Sequence, residues 1–179
     1  MKQPQGCHHL QIRTCFYHEK RDTSSSDVIS VYKKKNEGIV ELKKSNIFPS
    51  GNMSCLFDSV AHFTENCSSQ QLRRMVIDYL RSNPRFWDTM EFKDVFQMFA
   101  PEDVHDARST TDYIARMSRD TTWGGAIEIQ AMCNMFRISI RIHVLGDNGT
   151  IEFLPAAAGI RPEHVIELTW NGCHFEPHT

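Results

Sequence analysis

The sequence predicts an α+β domain, with short helices packed on a small, mainly antiparallel sheet. Apolar residues recur at helical spacing through the middle of the chain, and they alternate with polar ones at both ends. Tight turn signals, Asp147-Asn148-Gly149 and Asn171-Gly172, join the last strands as hairpins require. A chain of 179 residues, 40% apolar and 23% charged, suits one domain with its own core. We divide it into an N-terminal β-rich extension, 1–45, and a core, 46–179.

The extension holds three strand candidates: Leu10 to Phe16, Val28 to Tyr32 and Ile39 to Leu42. A serine-rich link, Arg21 to Asp27, separates the first two, and the polar run Lys33 to Gly38 turns the chain between the others. After Cys55, Leu56, Val60 and Phe63 follow a helical pattern with Ala61 between them. Ser68 with Gln71 forms a capping-box pattern for a helix whose core face carries Leu72, Met75, Val76, Tyr79 and Leu80. Asn83-Pro84 ends it. Shorter helices are expected from Phe92 to Phe99 and from Asp112 to Ser118, the latter capped by Ser109 or Thr110. Thr122 is placed to cap a helix from Trp123 to about Phe136, with Ile127, Gln130, Ala131 and Met135 inward. In Arg137 to Leu145 isoleucines alternate with Ser139, Arg141 and His143, a half-buried strand that returns through Ile151 to Leu154. Val165 to Trp170 and Cys173 to Glu176 complete the sheet.

Charge and composition exclude several function classes. Lys plus Arg total 20 and Asp plus Glu 22, a net charge of -2, so no basic field points to nucleic acid or a membrane surface. No apolar run approaches the roughly 20 residues that span a bilayer, and Met1 to Leu10 lacks the apolar centre of a signal peptide. The six cysteines contain no Cys-x2-Cys pair, as expected of free thiols in a reducing compartment. The expectation is a cytoplasmic monomer. Because the chain stops soon after His174, we also read it as a piece of a longer polypeptide, which a longer reading frame would establish.

Two segments carry chemistry. A Pro/Gly/Asn loop, Pro49 to Asn52, leads into the helix that starts at Cys55. At a helix start, free backbone N–H groups and the positive dipole end favour a thiolate and can stabilise an oxyanion; the other reading is a buried structural cysteine. In Cys173-His174-Phe175-Glu176, His174 and Glu176 are two apart and share a face. A carboxylate there can hold one imidazole nitrogen while the other faces a thiol, the base-plus-orienter logic of a nucleophile triad. Alone, such a histidine is equally a surface or core residue.

Three blocks then resemble the ovarian-tumour (OTU) family of deubiquitinases. Asn52-Met53-Ser54-Cys55-Leu56-Phe57 is similar to the family's Asp-Gly-Asn-Cys-Leu-Phe before a helix. Trp123-Gly124-Gly125 with the helix and isoleucine strand behind it resembles the second motif, and His174-Phe175-Glu176 the closing His-aromatic-Asp/Asn triplet. The resemblance implies a papain-like fold and a cysteine protease that cleaves ubiquitin or a ubiquitin-like modifier with no metal or organic cofactor. It implies Cys55 as nucleophile, His174 as base, Glu176 as orienter, Asn52 with the N–H groups of Met53 and Ser54 at the oxyanion, and Trp123 and Phe175 at the substrate. Its N-terminal strands resemble those of some viral members, which act in the host cytoplasm.

The departures bear on activity. Asn52 replaces a charged Asp, Met53 and Ser54 replace Gly and Asn, and Glu176 is one methylene longer than the family residue. The alternative is therefore a degenerate member that binds ubiquitin without cleaving it. Other constellations explain less. Cys7, His8, His9, Cys15 and His18 are zinc-type ligands, but their spacing matches no finger and strand alternation accounts for them. His62 reads as a helix-face residue, and Cys67, Cys133 and Cys173 as core or incidental thiols. Glu102, Asp103 and Asp106 form either a solvated face or a contact for a basic peptide tail.

Overall fold

A computed structural model describes residues 53–64, 66–87, 89–146, 149–156 and 161–178. The three N-terminal strand candidates, the five Cys/His residues among them, and Asn52 lie outside these residues. Five α-helices are described: α1 (Cys55–Ala61), α2 (Ser69–Arg81), α3 (Phe92–Phe96), α4 (Thr110–Met117) and α5 (Ala126–Phe136). A two-stranded ribbon, β1 (Arg85–Trp87) with β2 (Met90–Glu91), precedes α3. The main sheet holds β3 (Ser139–Val144), β4 (Thr150–Phe153), β5 (Val165–Trp170) and β6 (Phe175–Pro177), in the order β4-β3-β5-β6.

The sheet is mainly antiparallel, with a parallel pair at its centre. β3 pairs antiparallel with β4, as the Asp147-Asn148-Gly149 signal predicts, and β5 pairs antiparallel with β6. Between them β3 and β5 run parallel over six residue pairs, Ser139↔Val165 to Val144↔Trp170. Ile140, Ile142, Phe153, Ile166, Leu168 and Phe175 turn one face of this sheet into the core. α1 and α5 cover that face.

Several boundaries and faces differ from the sequence reading, each for a local reason. α1 ends at Ala61, and Phe63, past its end in a turn bonded to Val60 O, is exposed. In α2 the Ser68–Gln71 capping box forms, yet Met75 is exposed, because the buried stripe runs through Leu72, Arg73, Val76, Ile77 and Leu80. α3 stops at Phe96, short of Phe99. α4 takes Ser109 as its cap. Thr122 does not cap α5; its hydroxyl donates to Arg116 O at 2.7 Å, and the helix starts at Ala126, after Gly125, whose N–H donates to Glu128 Oε2 at 2.8 Å. α5 is buried on every side from Ile127 to Cys133, so it is the central helix and has no single inward face.

Candidate active site

Cys55 stands at the first position of α1, with only 7% of its surface exposed. Burial pushes its thiol above the ordinary value; backbone hydrogen bonds from Phe175 and Leu56 pull it down, and the nearby Asp58 carboxylate pushes it up. Desolvation thus outweighs the helix-start effect that the sequence reading invoked. A neutral thiol in this setting needs a base to become a nucleophile. Cys133, wholly within the core, is pushed up to about 12 by burial and is an inert packing thiol.

The last strand supplies the neighbourhood of Cys55. β6 packs on α1, and the Ser59 hydroxyl donates to Phe175 O at 3.0 Å. The Phe175 main chain therefore borders both Ser59 and the Cys55 thiol, and His174 is the next residue along the chain. His174 lies in the turn just before β6 and not in the strand itself. Asn171 builds that turn: its Oδ1 accepts from the His174 N–H at 2.9 Å and the Cys173 N–H at 3.2 Å, while Gly172 takes φ 99°. His174 Nε2 lies 3.8 Å from Glu176 Oε1, a half-buried imidazole beside an exposed carboxylate. That spacing is an ion-pair distance and exceeds a hydrogen bond. Phe175, expected to touch substrate, instead has its ring in the core at 5% exposure, beside Trp170; only its main chain reaches the site.

Arg73 holds the loop before α1 from beneath, and it and Glu128 are two buried charge-bearing residues that the sequence reading missed. Arg73, 2% exposed, donates to Met117 O (3.1 Å), Thr122 O (2.9 Å), Ser54 Oγ (3.2 Å) and Met53 O (3.5 Å). Its guanidinium also lies 4.2 Å from the Phe57 ring centroid. Burial lowers its affinity for the proton, while Glu128 and Asp120 raise it. Glu128, 0% exposed, accepts from the Tyr113 hydroxyl at 2.7 Å, and burial pushes its carboxyl up. Arg73 shares its helix with the exposed Arg74 and Asp78, so no sequence signal singles it out; Glu128 stands between Ile127 and Ile129 on a helix buried all round.

Trp123 lies in the loop that Arg73 ties to α1. Thr122 is bonded to Arg73, and a Cβ on Gly124 would come within 2.8 Å of the Leu56 side chain and 3.0 Å of the Phe57 ring, so a larger residue there must displace one of them. Trp123 is half-buried, and its carbonyl accepts from His105 Nε2 at 3.0 Å. His105 follows the 3₁₀ turn Pro101–Val104, so Glu102, Asp103 and Asp106 are tethered beside the Trp123 loop. His62 is exposed at the end of α1 and stacks edge-on with Phe63.

The family model for OTU-like cysteine proteases matches residues 49–170. The chain belongs to this family. Among curated proteins, the OTU chain is 32% identical over 102 residues to "Putative ubiquitin thioesterase 232R" of Invertebrate iridescent virus 3, covering 54% of this chain and 11% of that protein. It is 25% identical over 136 residues to ubiquitin thioesterase OTU1 of Homo sapiens, covering 73% of this chain and 34% of that one. The chain thus spans about a tenth and a third of the lengths of these two relatives. Among solved structures it is similar to an OTU domain in complex with ubiquitin (TM-score 0.52, 22% identity, 73% of this chain and 66% of that one). It is also similar to a ubiquitin-bound OTU deubiquitinase of Wolbachia pipientis wMel (TM-score 0.51, 18% identity, 72% and 90%). The fold is the α+β, papain-like OTU fold. Among the described residues no helix is long and apolar enough to cross a membrane.

Proposed function

We propose that this chain is a thiol-dependent deubiquitinase that hydrolyses the peptide or isopeptide bond at the C-terminus of ubiquitin or a ubiquitin-like modifier. The observation that carries the reading is the docking of β6 on α1, which sets the main chain beside His174 against the buried Cys55 thiol. In this mechanism His174 takes the Cys55 proton as the sulfur attacks the carbonyl carbon. The tetrahedral oxyanion is held by the Met53, Ser54 and Cys55 N–H groups with Asn52. Collapse releases the lysine amine, protonated by His174, and leaves a thioester. Water, deprotonated by His174, then frees the carboxylate and the thiol. Glu176 holds Nε2 and leaves Nδ1 to the thiol, and Trp123 walls the substrate channel. The acidic segment around Glu102, tethered to Trp123 through His105, suits the basic tail of ubiquitin. The names of the two curated relatives and the two ubiquitin-bound neighbours support this substrate class.

The test is a ubiquitin probe carrying a C-terminal electrophile, run beside probes of its nearest relatives. One covalent adduct on Cys55 is expected; binding of ubiquitin with no adduct would establish the non-cleaving alternative. The raised thiol and the 3.8 Å separation of His174 from Glu176 favour that second reading. Glu176→Ala should lower kcat by roughly tenfold, below the about 10²–10⁴-fold that a general base itself supplies. An unchanged rate in steady-state hydrolysis would move the orienting role to Asn52.

A further inference from the structure

The sheet face turned away from the helices carries a cluster that the proposed reaction does not use. Arg141 and His143 of β3 are register partners of Glu167 and Thr169 of β5, so the four side chains share that face. His178, just beyond β6, joins them, its N–H donating to Glu167 O at 2.9 Å. The His143 and His178 rings stack with centroids 3.9 Å apart and planes 19° apart, and His143 Nε2 lies 3.2 Å from Glu167 Oε2. One donor atom from each of His143, Glu167 and His178 lies within 4.8 Å of the other two.

We propose that His143, Glu167 and His178 form a binding site for a divalent transition-metal ion of the zinc class. Two imidazoles and one carboxylate are a zinc-type donor set, and they are far from the soft thiolates of the chain's cysteines in ligand chemistry. Two of the three ligands, His178 and Glu167, are already oriented by a further contact, as metal ligands commonly are. Thr169 Oγ1 engages His178 Nδ1 at 2.9 Å and leaves Nε2 for the ion. Arg141 Nη1 donates to Glu167 Oε1 at 2.6 Å and leaves Oε2. Zinc bonds of about 2.0–2.2 Å set tetrahedral donor atoms roughly 3.4 Å apart, so the stacked imidazoles must turn out of their stack for both to face one ion. The face is open: His143 and Glu167 are half-buried and His178 exposed, which leaves the fourth position to water or to a bound partner's side chain. An ion here would clamp β3, β5 and the end of β6, the strand that follows His174.

The test is calorimetric titration of chelator-treated full chain with zinc chloride, in a Cys55→Ser background that removes the reactive thiol. One equivalent should be lost, or its affinity weakened at least tenfold, in both His143→Gln and His178→Gln. Thr169→Val, which removes only the contact to His178 Nδ1, should weaken the same site less while leaving the sheet intact. Cobalt at the site should give visible d–d bands without a thiolate charge-transfer band. Zinc uptake unchanged in both histidine variants, no uptake at all, or a thiolate band that those variants abolish would overturn the proposal.

Discussion

Cys55→Ala should abolish turnover of a ubiquitin–fluorophore conjugate, by about 10⁴-fold or more, with circular dichroism and thermal melt unchanged. The sulfur is the only atom lost, and the buried space it vacates next to Leu56 and Phe175 is too small to disturb the core. His174→Ala should fall nearly as far, because a buried thiol held above its ordinary pKa has no other route to the anion. The double variant should lose nothing further, since nucleophile and base act as one unit. Steady-state rates decide this. Turnover in Cys55→Ala within tenfold of wild type would remove the thiol from the mechanism, and additive losses would separate the two residues.

Arg73→Met should destabilise the domain by about 3–5 kcal/mol, because it keeps the volume but strands the groups the guanidinium satisfies. Those are the carbonyls of Met53, Met117 and Thr122, the Ser54 hydroxyl and the charge of Glu128. Arg73→Lys should recover only part of the loss, since an ammonium has three donors for the four acceptors that Arg73 reaches. Urea unfolding measures the difference. A second readout separates packing from positioning: at temperatures where the variant is folded, kcat should still fall, because Arg73 sets the Met53–Ser54 backbone that leads into Cys55. Stability within 1 kcal/mol of wild type, or full kcat in the folded variant, would show that water replaces the guanidinium and that Arg73 positions nothing.

The two charges at issue explain why the site was only partly legible. Cys55, Trp123 and His174 sit in motifs that stand out by residue type. Arg73 and Glu128 do not: each falls on an amphipathic or apolar helix where periodicity assigns charges to solvent, and only the packing of α2 and α5 reveals that both are buried. Phe175 shows the opposite error. Its place between His174 and Glu176 suggested a substrate contact, but β6 pairing turns its ring inward against Trp170 and presents only its main chain to Cys55. The helix-start argument for a ready thiolate meets an opposing effect that the sequence hides. Backbone N–H groups are visible in a sequence pattern, whereas the desolvation that opposes them depends on what α1 packs against.

Local signals by themselves determined the existence and type of the main helices and of the four strands of the main sheet, but not of the β1–β2 ribbon. The Ser68–Gln71 box, the Ser109 cap, the alternation through Ile138, Ile140 and Ile142, and the Asn171-Gly172 turn each act over a few residues, through one hydrogen bond or one side-chain period. Tertiary structure decided everything that joins distant segments. It made β5 the parallel partner of β3, left Met75 exposed while burying Arg73, and set β6 on α1 so that residues 55 and 175 meet. The physical reason is range: capping and alternation are fixed by neighbours along the chain, but strand order and burial follow from which apolar faces find each other once those elements pack.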